Sequence, residues 1–261
     1  MPLAIEFSVL GSSSGGNCTA VRCGGSVILV DAGFTAKEIA GRLSGIGIGI
    51  DEVSGVLLTH DHIDHVRGAG VLSRRHGIPI HAARQTFCAA ERALGCCEKS
   101  YFECGGEFEA WPFNVRTFPL PHDAASHCGF RLEAQKTSFG LATDIGYATP
   151  ALIEGLRDCD SIVLESNYDF DMLENGPYPY FLKKRIAGEG GHLSNRECGE
   201  VLNEVVCKRT NRVVLAHLSQ NNNTEPLARA TVSSVAHRAL CEFGFKIHAA
   251  NPFEPTPVFR A

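Results

Sequence analysis

Several things are missing from this sequence, and each absence narrows the field. No apolar run reaches the ~20 residues that a membrane-spanning helix needs. The N-terminus does not open on the basic-then-apolar pattern of an export signal. A cytoplasmic protein with no membrane partner is therefore expected. There is no basic excess either: 24 Lys and Arg stand against 29 Asp and Glu, a formal charge of −5. That argues mildly against a broad phosphate-binding surface. The 11 cysteines include no CxxC pair, which excludes a zinc ribbon or thioredoxin motif. Without a secretion signal they read as free, mostly buried thiols. No Pro-, Gly- or Ser-rich linker and no short repeat divides the chain, so one domain over residues 1–261 is the simplest expectation.

What is present is ordinary globular composition, with 44% hydrophobic and 20% charged residues. β-Branched runs punctuated by Gly read as strands: AIEFSVL, TAVRCGGSVILVDAG, VSGVLLT and IPIHAA. TAKEIAGRLSGIG reads as a helix capped by Thr35. DHVRGAGVLSRRHG reads as one helix that Asp64 caps and Gly77 ends, and RQTFCAAERALG as another. The second half repeats the rhythm. WPFNVRTFPL, HCGFRLEA, TSFGLAT, SIVLESN, RVVLAHL and FKIHAA read as strands. PALIEGLRD, SNRECGEVLNEVVCK and EPLARATVSSVAHRALCEF read as helices. Meanders followed by helices, twice over, imply two sheets packed face to face with helices outside, an α/β (α+β) architecture.

The chemistry concentrates in VLLTHDHIDHVRG. His60, His62, Asp64 and His65 follow H-x-H-x-D-H straight after an apolar run. Imidazole and carboxylate suit zinc, manganese or iron. Buried without a metal, each unpaired polar group costs ~2–7 kcal/mol. Three more candidates follow apolar runs in the same way: His122 in FPLPHDAASH, Asp144 in FGLATDIGY and His217 in RVVLAHLSQNN. The count suits two divalent ions. His60, His62 and His122 would hold one, Asp64, His65 and His217 the other, with Asp144 between them.

This run, followed in order by His122, Asp144 and His217, resembles the metallo-β-lactamase superfamily over nearly the whole chain. Within it, SVLGSSSGGNCTAV, LVDAGFTAKEI, PHDAASHCGFRL, LATDIGY, LESNYDFDML and GGHLSN resemble the YycJ (WalJ) group of small bacterial metal-dependent nucleases. The resemblance implies a four-layer αββα sandwich. It also implies phosphodiester hydrolysis by a metal-bridged hydroxide, acting 5′ to 3′ on DNA ends. It assigns Asp64 to orienting the nucleophile and His192 to the scissile phosphate or the leaving oxygen. It gives Asp31 a hydrogen bond to a histidine ligand. Ser13 and Asn17 move towards the rim of the site, and Ser194 and Asn195 open the helix after His192. Lys183, Lys184 and Arg185 become candidates for holding the DNA. His127 is close enough in sequence to His122 to reach the cleft mouth.

Two other readings compete. A small-molecule hydrolase (cyclic phosphodiesterase, lactonase or thioesterase) would use the same metal site, because fold does not fix function. A metal sensor without turnover would need the same ligands.

Overall fold

A computed structural model describes residues 4–261. The first sheet is built from β1 (Glu6–Ser13), β2 (Gly16–Cys23), β3 (Ser26–Val30), β4 (Val53–Leu57), β5 (Ile80–Ala83) and β6 (Lys99–Phe102). The second contains β7 (Glu107–Ala110), β8 (Phe113–Pro119), β9 (Cys128–Ala134), β10 (Thr137–Ala142), β11 (Ser161–Glu165), β12 (Arg212–Ala216) and β13 (Lys246–Ala249). The last strand, β14 (Phe259–Arg260), returns to pair with β1, so the sheet orders are β14-β1-β2-β3-β4-β5-β6 and β13-β12-β11-β10-β9-β8-β7. Each sheet joins an antiparallel meander to a run of parallel strands: β3 to β6 in the first, β10 to β13 in the second.

The pleat explains why the central parallel strands are largely apolar, unlike the edge strands β6 and β13. Successive side chains point to opposite faces, and both faces here are covered. On β3, Ile28 and Val30 enter the layer between the sheets, while Val27 and Leu29 face outward under helices. On β12, Val214 faces inward, and Val213 and Leu215 face the opposite helices. Full burial of such a side chain contributes ~1.5–3 kcal/mol. Phe7, Phe113, Phe130 and Phe139 fill the middle of the inter-sheet layer.

The outer layers follow the sequence order. The first sheet is covered by α1 (Ala36–Gly45), α2 (Ile63–Val66), α3 (Ala69–His76), α4 (Arg84–Ala89) and α5 (Glu91–Leu94). On the second sheet lies α6 (Pro150–Leu156), followed in the chain by α7 (Phe170–Asn175) and α8 (Tyr180–Ile186). α9 (Asn195–Val205), α10 (Glu225–Val235) and α11 (His237–Phe243) complete its cover. The architecture is the expected αββα sandwich.

Details differ from the sequence reading. The helix expected over DHVRGAGVLSRRHG is two, α2 and α3, because the Gly68 N–H is diverted to the Ala32 carbonyl at 2.8 Å. Asp64 lies inside the first turn of α2, whose cap position is His62. Gly77 does end α3, with φ 66°. Ala90 and Ala236 divide two further expected helices. Trp111 occupies a left-handed turn (φ 55°), so the strand expected from it begins at Phe113. Among the described residues, no helix is long and apolar enough to cross a membrane.

Candidate metal centre

The strands deliver polar side chains to one edge of the sandwich. β3 ends just before Asp31, β11 ends on Glu165, and β12 ends just before His217. β4 leads through Leu58 and Thr59 into His60, β8 towards His122, and β10 to Asp144. Three of these residues turn the chain in the left-handed region: Asp31 (φ 62°), Asp144 (φ 60°) and His217 (φ 53°). Such backbone costs on the order of 1–3 kcal/mol per residue and persists where the surroundings fix it, often at functional sites. Gly33 lets the loop after β3 reach the cluster, since a Cβ there would collide with the Asp64 carbonyl oxygen.

The seven residues singled out in the sequence converge. Donor atoms of His60, His62 and His122 all lie within 4.8 Å of one another, and so do those of Asp64, His65 and His217. Asp144 joins the two sets. Its Oδ2 is 3.2 Å from His65 Nε2, and its Oδ1 is 3.9 Å from His122 Nε2. His60 Nε2, His217 Nε2 and Asp144 Oδ2 are buried with no hydrogen-bond partner among the described residues. Three orphaned donor atoms in one cluster are costly, and a cation would satisfy all of them. The donor set therefore fits the metal ions that the sequence implies.

A surrounding layer of bonds orients the rings. Asp31 accepts from the Thr59 backbone N–H at 2.9 Å and from His65 Nδ1–H at 2.7 Å. Thr59 Oγ1 meets His60 Nδ1 at 2.9 Å. His122 Nδ1–H donates to the Gly191 carbonyl at 3.1 Å. In each case Nε2 faces the cluster, that of His65 also lying 3.1 Å from the Asn17 amide nitrogen. Asp31 thus makes the contact expected of it.

Glu165 was not singled out in the sequence, yet it ties the site together. Its Oε1 accepts from His192 Nδ1 at 2.9 Å and from His217 Nδ1 at 2.8 Å. Its Oε2 accepts from the Ile145 and Leu193 N–H groups at 2.7 and 3.1 Å. Burial alone would push its pKa up, but His192 and His217 outweigh burial and hold it at about 2. Burial likewise opposes charge on His217, yet Asp144, Asp64 and Glu165 push its pKa up to about 10. The only signal for Glu165 was an acidic residue closing the apolar run SIVLE. His127, close enough in sequence to His122 to reach the cleft mouth, is instead buried against the cluster, its ring 4.6 Å from that of His60. Burial pushes its pKa down to about 3.

A cleft of about 240 Å³ opens over the cluster, walled by Ser14, Asp64, Asp123, Arg185 and His192 among others. The residues expected to contact substrate divide here. Arg185 is on the wall, donating to Asp123 Oδ2 at 2.9 and 2.6 Å. Lys183 turns to the Glu174 carbonyl, and Lys184 lies over the Tyr180 ring. Ser13 is buried and accepts from the Gly15 N–H; its neighbour Ser14 reaches the cleft instead, because LGSSSGGN is a tight hairpin between β1 and β2. Asn17 is also buried, accepting from Ser12 Oγ with its amide nitrogen 3.1 Å from His65 Nε2. Ser194 is occupied in a capping box with Glu197, and Asn195 bonds to Ser166 and Asn223. These four support the site from behind.

The sandwich with polar groups gathered at one sheet edge is the arrangement of a metal-dependent hydrolase, and the comparisons agree. The sequence model of the β-lactamase superfamily domain matches residues 27–218. The chain belongs to this superfamily and is a metal-dependent hydrolase of ester bonds. It is 34% identical to exodeoxyribonuclease YycJ of Bacillus anthracis, covering 98% of this chain and 99% of that protein. Against exodeoxyribonuclease WalJ of Streptococcus pneumoniae the identity is 31%, covering 98% of each. The metallo-β-lactamase fold protein YhfI of Bacillus subtilis superposes with a TM-score of 0.76 at 15% identity, over 99% of this chain and 100% of that one.

Proposed function

We propose that the protein is a DNA exonuclease that hydrolyses phosphodiester bonds from 5′ ends at a binuclear site. The observation that carries this is the convergence of two three-residue donor sets, joined by Asp144, with orphaned ring and carboxylate atoms between them. His60, His62 and His122 would hold one ion, and Asp64, His65 and His217 the other. Zinc and manganese both suit these donors, and iron is compatible. Such a pair supplies Lewis acidity and a water acidified to a nucleophile near neutral pH.

The chain's own groups do the rest. Asp64 Oδ2 lies 3.5 Å from His65 Nε2 and 3.7 Å from His217 Nε2, and the residue lines the cleft, where its second carboxylate oxygen would orient the attacking water. His192 commits its Nδ1 proton to Glu165. That leaves Nε2 for the substrate; in the imidazolium form, with a proton on each ring nitrogen, Nε2–H gives its proton to the departing 3′ oxygen. Arg185 on the wall neutralises a non-bridging phosphate oxygen. The choice of DNA rests on the two exodeoxyribonuclease relatives matched over nearly their full length.

Purified protein supplied with manganese or zinc is expected to degrade 5′-phosphorylated linear DNA. Asp64→Ala or His122→Ala should abolish degradation, and activity persisting in both variants would refute the proposal. A panel of matched RNA, bis(p-nitrophenyl) phosphate, a lactone and a thioester separates the nuclease from a small-molecule hydrolase.

A further inference from the structure

Asp123 sits one residue after His122 and was not singled out in the sequence. It forms part of the cleft wall, and its two carboxylate oxygens face different partners. Oδ2 accepts from Arg185 at 2.9 and 2.6 Å. Oδ1 lies 3.3 Å from His122 Nε2 and 3.9 Å from His62 Nε2. His122 commits its Nδ1–H to the Gly191 carbonyl at 3.1 Å, so Nε2 of the neutral ring presents a lone pair. An ionised carboxylate oxygen has only lone pairs to offer. Two acceptors therefore face each other across 3.3 Å, an arrangement that a cation resolves. Two donors bound to one ion at ~2.0–2.2 Å stand ~3–3.5 Å apart at tetrahedral or smaller angles, and the observed spacing falls in that range. The loop is held in place: Asp61 Oδ1 accepts from the Ala125 N–H at 3.0 Å, and the Asp123 carbonyl oxygen lies 3.3 Å from His62 Nε2.

We infer that Asp123 is an eighth metal ligand, offering Oδ1 to the ion of His60, His62 and His122, an inference that rests on the binuclear reading above. Arg185 is then the outer partner that aims a ligating carboxylate, as Asp31 aims the His65 ring. Two of the five guanidinium N–H donors serve Oδ2, which leaves the others for a phosphate oxygen. The placement also removes a conflict. A free carboxylate on the wall would repel a phosphodiester, whereas one bound to a cation spends its charge there. It alters the ion's chemistry as well. Apart from the shared Asp144, the donors of this set are all imidazoles. A further carboxylate oxygen hardens the set and favours manganese, while imidazoles alone serve zinc. Asp123 is thus the residue that selects the metal at this position.

The test is equilibrium dialysis of metal-stripped protein against manganese or zinc, with bound ions counted by elemental analysis. The wild type should take up two ions per chain. Asp123→Ala should weaken one of the two manganese ions at least ~10-fold, no less than the loss of an outer partner costs. The other ion, on Asp64, His65 and His217, should stay, and its retention shows that the variant is folded. The loss should be smaller for zinc. Arg185→Gln should weaken the same ion by less than Asp123→Ala does. Equal manganese binding in the wild type and Asp123→Ala would overturn the assignment. So would an equal loss at both ions, which would mean a loosened cleft rather than a missing ligand. A loss that vanishes as salt is raised from about 0.1 to 1 M would also overturn it, because shortening the screening length from ~10 to ~3 Å removes a through-space attraction and not a coordinate bond. A wild type that binds a single ion would instead count against the binuclear reading, and the response of that ion to Asp123→Ala would decide Asp123. Failure to hydrolyse bis(p-nitrophenyl) phosphate would count against the phosphodiesterase assignment and leave the dialysis result standing.

Discussion

Glu165 makes the most exacting demand of any side chain in the site. Its four hydrogen-bonding neighbours, two ring nitrogens and two backbone N–H groups, all donate to it. An amide in its place would set an NH₂ against donors. Glu165→Gln should therefore lower activity or metal affinity by ~10–100-fold, the usual cost of disturbing a ligand's supporting partner. Metal content by elemental analysis alongside kcat checks this. The same residue shapes acid stability. Held at about 2 in the folded protein against an ordinary 4.5, it contributes stability above pH 4.5 and loses it as pH falls towards 2. His217 acts in the opposite sense in the metal-free protein. Raised from 6.5 to about 10, it contributes fully below pH 6.5 and loses its contribution as pH climbs to 10. Urea midpoints of chelated protein should thus be highest near pH 4.5–6.5 and fall on both sides. Glu165→Gln should flatten the acid limb.

Strand ends were readable and the exposed helices α7 and α8 were not, whereas the short but buried α6 was, and the reason is burial. Parallel strands covered on both faces write continuous apolar runs, so the polar residue that closes each run stands out; His60, Asp144 and His217 announced themselves this way, and His122 stood out after the apolar end of antiparallel β8. Glu165 closes such a run too, but a lone carboxylate there gives no hint of two histidines arriving from other loops. α8 buries nothing and so leaves no apolar stripe to detect. The edge strands β6 and β7 are half exposed and gave equally little signal. The helix breaks at Gly68 and Ala236 were invisible because apolar spacing continues across them; at Gly68 it is the bond to Ala32 that decides. Backbone approach is where a small change should be most damaging. Gly33→Ala drives a Cβ into the Asp64 carbonyl and the Asn17 amide. Overpacking of this kind costs ~1–3 kcal/mol, and here it would also displace Asp64, a proposed ligand. A lower melting temperature together with reduced metal content is expected, whereas a stability loss with full metal content would show that the loop yields without moving Asp64.

The two sheets share the site unequally but jointly. His60, His62, Asp64 and His65 follow β4 of the first, while His122, Asp144 and His217 follow strands of the second. Ions bound as proposed would tie the layers together as well as supporting chemistry. A ligand at 100 times its dissociation constant adds ~2.7 kcal/mol, which corresponds to ~5–10 °C in a chain of this size. Chelation should lower the melting temperature by about that much, and added manganese or zinc should restore it. An unchanged melting temperature would mean that the inter-sheet core alone sets stability.

Shared ownership of the ligands also bears on the order of events during folding. Neither sheet alone supplies either three-residue donor set, so ions bound there would be fully gripped only once the layers have docked. A grip of that kind, made after the rate-limiting encounter, would act as a latch that slows escape from the native state without hastening arrival.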